Sequence, residues 1–230
     1  MKIPRQMAFF VAAALLISVI VGGFQRYPPA IPMEYPESKE AVKLLLNQHG
    51  PRRFLDGIAF DDMPFIPLYT AHLITWVFWI AFGTGEKERS AKAAAIGAIL
   101  MIAAAAFWDY KENNAMRAMI QAAGEGIKDT RAATLPKWGY LGLALLLAGI
   151  ANGFGMWTRR DFRASPRRIR TWACVLGGLC GIISASPAAH HLSASTHHCL
   201  FQAAGIGLAI AGVTVLIDTS PWRPANRLQQ

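Results

Sequence analysis

The chain has 230 residues, of which 53% are hydrophobic and 16% charged, with a formal net charge of +9. The charges avoid the apolar runs, whereas a soluble protein of this size spreads charge along every helix, so the composition excludes an ordinary soluble domain. The basic residues flank those runs instead of forming one patch, which argues against nucleic acid as a partner and for the lipid bilayer.

Six apolar stretches follow in order: Met7–Phe24, Phe65–Gly83, Ala91–Trp108, Trp138–Trp157, Trp172–Ala188 and Leu200–Ile217. A bilayer core about 30 Å thick needs roughly 20 helical residues, so each run is close to spanning length. The expected fold is all-α, a polytopic transmembrane bundle of six spans within one membrane domain, residues 1–230. The first run follows Lys2 and Arg5 and reads as an uncleaved anchor in preference to a signal cleaved after Gly23. Tyr27–Pro36 is proline-rich and reads as extended. Glu37–Gln48 reads as a short interfacial helix on the outer surface, with Ala41, Val42, Leu45 and Leu46 on one face. Asn113–Ala123 extends the third span until Gly124 and Gly126 break it.

Lysine and arginine in short loops set orientation. Lys2, Arg5, Lys87, Arg89, Lys92, the Arg159–Arg170 cluster, Arg223 and Arg227 all fall on one side if every run crosses once. The chain thus reads as a multi-pass protein of a bacterial inner membrane with both termini cytoplasmic. Trp108 and Trp138 mark the outer boundary, and Trp79, Trp157, Trp172 and Trp222 the inner one. Gly149/Gly153, Gly177/Gly181 and Ala203/Gly207 are small-residue pairs suited to close packing within the molecule. His72 and Asn152, inside spans, read as polar groups joining helices. Cys174, Cys180 and Cys199 give no disulfide framework.

Three outer patterns carry chemistry. Asp109, Glu112 and Asn113 share one helical face at the end of the third span. Paired carboxylates there can bind a cation or divide acid and base roles. The structural reading is a bundle cap paired with Lys137, Arg117 or backbone groups. Asp61 and Asp62 precede Pro64 and Pro67 at the entry to the second span, where one of them reads as an N-cap. Tyr69, a turn further in, can reach Asp109 or Glu112. The third pattern is His190, His191, His197 and His198 beside Cys199, candidate ligands for zinc or copper, although the spacing matches no defined zinc motif. The competing reading is a solvated loop with its rings apart.

The stretch Asp61–Trp138 resembles uncharacterised small bacterial multi-pass membrane proteins with an aromatic-Asp-x-x-Glu-Asn signature at a helix end, here Trp108-Asp109 to Glu112-Asn113. Phe65-Ile-Pro-Leu-Tyr69 is similar to the helix start that some of them carry. The resemblance implies a four-helix core, residues 1–157, a two-helix extension, 158–230, and no particular activity. Asp109-Tyr-Lys-Glu112-Asn-Asn114 is also similar to the Asp-Trp-x-Glu-x-Asn motif of alkaline ceramidases, where it precedes the first span and does not end the third. The expected function is an accessory, sensing or structural role in the inner membrane, with a membrane-protein partner left open. The alternatives are a membrane-embedded metal-dependent hydrolase acting on a lipid-like substrate, and a small transporter. A hydrolase needs the carboxylates and histidines to converge around a cavity; a cap needs only local partners.

Overall fold

The computed structural model describes residues 5–24, 27–28, 31–79, 89–158, 165–186, 189 and 191–219. His190, Lys2, Lys87, Arg159, Arg160, Arg163, Trp222, Arg223 and Arg227 lie outside the described residues. All regular structure among the described residues is helical. Helix α1 (Arg5–Phe24) is followed by three short helices, α2 (Ile31–Glu34), α3 (Lys39–His49) and α4 (Pro51–Phe60). The segment Asp61–Phe65, kinked at Met63 (φ −153°, ψ 101°), leads into α5 (Ile66–Phe78). Four longer helices complete the chain: α6 (Arg89–Gln121), α7 (Ile127–Thr158), α8 (Ser165–Ala185) and α9 (Ala194–Thr219).

Consecutive long helices pack side by side from α5 to α9, and α1 lies against both α9 and α5, closing a ring. One core runs through it, with Trp76, Ile102, Leu145, Cys174 and Phe201 among its members. Two helices among the described residues are long and apolar enough to cross a membrane, Arg89–Gln121 and the Ile127–Gly153 part of α7. At 1.5 Å per residue, 33 residues of α6 reach about 50 Å, well beyond a bilayer core of about 30 Å. The surplus of α6 and α7 forms a projecting hairpin closed by the turn Ala122–Gly126. Gly124 has φ 97° and Gly126 φ 82°, backbone that favours glycine, and the Gly124 N–H donates to the Met119 carbonyl at 2.8 Å.

That projection organises the cap end of the molecule. Met116, Met119 and Ile120 of α6 meet Met33, Val42, Phe54 and Ile58 in a second hydrophobic cluster. The apolar face of α3 is therefore covered by protein, not laid on a surface: Val42 is fully buried, and Leu45 and Leu46 pack on the cluster. Ser38 caps α3, its Oγ accepting from the Ala41 N–H at 3.1 Å. One local expectation fails here, and one helix had no expectation. The segment read as extended forms α2, because Met33 and Glu34 gain buried positions. The run Pro51–Phe60, given no element by sequence, forms α4 once Phe54 and Ile58 find the cluster.

The seam through α7, α8 and α9 is built differently. A Cβ on Gly142 would come within 2.7 Å of the Gly178 carbonyl oxygen, and one on Gly207 within 2.6 Å of the Ala173 carbonyl oxygen. Gly149 faces Cys174 and Val175, and Gly177 faces Gly207, so these small residues serve contacts inside the molecule. Asn152 donates from Nδ2 to Thr171 Oγ1 at 2.6 Å, joining α7 to α8. Arg170, read as part of the basic connection between the fourth and fifth spans, belongs to α8 and is fully buried beside Asn152.

The outward faces are apolar. On α8, Ile169, Trp172, Leu176, Leu179 and Ile183 form an exposed stripe; on α9, Ile206, Ile210, Val213 and Ile217 do the same. On α6 the inward face is Ala91, Ala95, Ala98 and Ala105, while Ile96, Leu100 and Phe107 point outward.

Candidate functional site

Lys137 is the centre of the cap end. It enters on α7, just after Pro136, and is buried with its ammonium among three carboxylates. Nζ lies 3.3 Å from Glu34 Oε1 and 3.1 Å from Asp109 Oδ1, and forms an ion pair with Glu112 Oε2. Of the three contacts, that with Glu112 is also a hydrogen bond, whereas Asp109 Oδ1 is held by charge alone.

The second oxygen of each carboxylate meets a neutral group. The Trp138 Nε1–H donates to Glu34 Oε2 at 3.1 Å, and the Tyr69 hydroxyl donates to Asp109 Oδ2 at 2.7 Å. Glu112 Oε1 pairs with Thr134 Oγ1. That hydroxyl also faces the Glu34 carbonyl oxygen at 2.6 Å and the Thr130 carbonyl oxygen at 2.9 Å. At the rim, Asn113 Nδ2 donates to Asp61 Oδ2 and to Asp62 Oδ1, each at 2.8 Å. Arg117 closes an ion pair with Asp62.

The structure thus brings together all six residues of the sequence-derived cluster: Asp61, Asp62, Tyr69, Asp109, Glu112 and Asn113. Asp109, Glu112 and Asn113 are 5%, 0% and 0% exposed, which turns the shared face of α6 inward. One expected role changes. Neither Asp61 nor Asp62 caps the helix that follows, because the backbone breaks one residue later, at Met63 (φ −153°, ψ 101°), and no side-chain cap hydrogen bond forms there. Their carboxylates turn to Asn113 and Arg117 instead. Glu34 was missed. It lies in the segment read as extended, and its only signal is an acid two residues before Pro36.

Burial pushes the Asp61 carboxyl up to about 7, helped by the nearby Asp109 charge and opposed by Lys137. Glu112 is also pushed up, first by burial and then by Glu34, with Lys137 opposing. Burial works against the Lys137 cation, but Asp109, Glu112, Glu34 and Asp61 outweigh it and raise its pKa.

The histidines go elsewhere. His197 and His198 sit in the first turns of α9, not in a loop. His197 is buried, its Nε2 3.0 Å from the Ala189 carbonyl oxygen, and its ring lies 4.4 Å from that of Tyr35. His198 Nε2 lies 2.8 Å from the Tyr35 carbonyl oxygen. Arg131 covers the Tyr35 ring at 4.8 Å from its centroid, so Tyr35 is held between α7 and α9. Of the water-facing rings expected by the solvated-loop reading, only His191 is exposed among the described histidines of this group. Among the described residues, which leave out His190, no group of three or more His, Cys, Asp or Glu is arranged to hold a metal ion. His72 is not the helix-joining group expected, since neither ring nitrogen has a hydrogen-bond partner among the described residues.

Comparisons with family models, curated proteins and solved structures found no match to this chain.

Proposed function

We propose that this chain is a multi-pass protein of a bacterial inner membrane, with six spans and both termini cytoplasmic. In this reading the Glu34–Asp109–Glu112–Lys137 cluster is a clasp that fastens the outer cap to the bundle, in an accessory or sensing role. The observation that carries the membrane reading is the inverted distribution on α6, α8 and α9. Most leucine, isoleucine and aromatic side chains there point outward, Ile102 and Phe201 being core exceptions, while alanine, glycine and hydrogen-bonded polar groups lie inside. A lipid solvent favours that pattern, because tails solvate the outer face and close packing holds the interior. The clasp reading is supported by the origin of its groups: α2, α5, α6 and α7 each supply one or more.

The hydrolase reading draws no support from the geometry. Lys137 fills the position between the carboxylates, and His197 and His198 bond to backbone carbonyls. The transporter reading keeps one favourable observation, the buried His72 a turn below Tyr69 in α5.

Topology is tested by cysteine labelling of intact cells, in a background without the native cysteines. Asp129→Cys, exposed in the cap, is expected to react with an impermeant reagent, and Ser90→Cys, exposed at the other end of α6, only after lysis. Labelling of position 90 in intact cells overturns the orientation.

A further inference from the structure

We propose that the clasp is a proton-binding site, and that Glu112 is the group that carries the proton at neutral pH. The inference rests on the clasp reading and names its ligand.

Charge is the first argument. Lys137 is the cation among Glu34, Asp109 and Glu112, with Asp61 adjoining, while Arg117 is engaged by Asp62. If all four carboxyls were ionised, three negative charges would stand uncompensated around one buried ammonium. Taking carboxylates out of water without counter-charge is costly, and a buried site relieves that cost by binding protons.

Hydrogen-bond accounting then selects the carrier. Indole N–H can only donate, so Glu34 Oε2 is an acceptor. The Asn113 amide donates to Asp61 and Asp62, so those two oxygens are acceptors as well. The Tyr69 hydroxyl, with Asp109 as its partner, is free to donate to Asp109 Oδ2. Glu112 differs. Its Oε1 faces the Thr134 hydroxyl, whose single hydrogen has two carbonyl acceptors at 2.6 and 2.9 Å. With that hydrogen on a carbonyl, two oxygens face each other unless Glu112 Oε1 carries a hydrogen and donates it to Thr134 Oγ1. The chain is then satisfied throughout: Glu112 O–H to Thr134, Thr134 O–H to the Glu34 carbonyl. The charged and titratable groups around Glu112 are Lys137 from α7, Glu34 from α2 and Asp109 from its own helix, with Asp61 and Tyr69 adjoining. Its full burial raises the carboxyl in the same direction.

The test is infrared spectroscopy of the full chain in lipid nanodiscs. Asp61→Asn serves as background, because Asp61 is itself raised to about 7. At pH 7 this protein should show the C=O stretch of a neutral carboxylic acid that shifts in deuterated water. The band should vanish in Asp61→Asn/Glu112→Gln and change frequency in Asp61→Asn/Thr134→Val, which removes the acceptor. Absence of the band at pH 7 overturns the proposal, as does a band unchanged by both second substitutions. Should the Glu112 variant not fold, the Thr134 variant decides alone. Failure of the clasp reading is read separately, as unaltered thermal stability of Lys137→Met.

Discussion

The cap end and the α7–α8–α9 seam are held by opposite means. At the cap, charged and hydroxyl groups from four elements close on Lys137. In the seam, glycine lets backbone touch backbone, and polar contacts such as that of Asn152 with Thr171 are local. In the proposed membrane reading the difference follows the solvent. Between lipid tails there is no hydrophobic drive to bring helices together, so close van der Waals approach does it. Beyond the bilayer the same helices can use a charged cluster, provided every member finds a partner. The cap should therefore answer to charge and pH, and the seam to volume.

The largest effect is expected from Lys137→Met. It leaves three carboxylates without their ammonium, and breaking a buried ion pair in this way costs about 3–5 kcal/mol. Melting in detergent should fall by roughly 10 °C, at about 2–4 °C per kcal/mol for a chain of this size. A fall below about 2 °C would remove the cap from the comparison.

Gly142→Ala should come next. Its new Cβ would meet the backbone of α8 at 2.7 Å, whereas Gly205→Ala meets nothing within 4 Å. Overpacking typically costs about 1–3 kcal/mol, so only the first should lower the melting temperature, and it should do so equally at every pH. Equal melting of the two variants would show that the seam has slack.

pH separates the regions further. Asp61 and Glu112 have raised pKa values in the folded protein, so the folded state binds more protons than the unfolded one. Their contribution is greatest in acid and is lost as pH rises, for Asp61 between 3.8 and about 7. Melting followed from pH 5 to 8 should thus fall by a few degrees, with a smaller slope in Asp61→Asn. A slope that is the same in Asp61→Asn, or a rise in stability with pH, would contradict it. The smallest effect belongs to Glu125→Gln, which removes the exposed ion pair with Lys39 and should leave melting unchanged.

Much of this contrast was legible from local pattern. The spacing of Asp109, Glu112 and Asn113 gave a shared face, and the glycines at 124 and 126 gave the end of α6, because helical periodicity and positive φ are properties of a few neighbouring residues. The Tyr69 contact to Asp109 followed from placing two helix ends at one level. Glu34 was not legible: its partners Lys137 and Trp138 are about a hundred positions away, and nothing near Glu34 announces them. The histidines misled for the opposite reason. Four of them close in sequence suggested a common site, yet helix α9 starts early enough to point His197 and His198 at separate carbonyls.

By itself, then, the sequence determined the helical class, the apolar stretches and the inward face of α6, since these depend on composition and on a period of about 3.6 residues. Tertiary structure alone decided that Lys137 sits among the carboxylates, that α3 and α4 cover the projecting hairpin, and that His197 and His198 face separate carbonyls. Those outcomes depend on which distant groups share a buried volume, and a buried charge takes whichever partner the packing brings within reach.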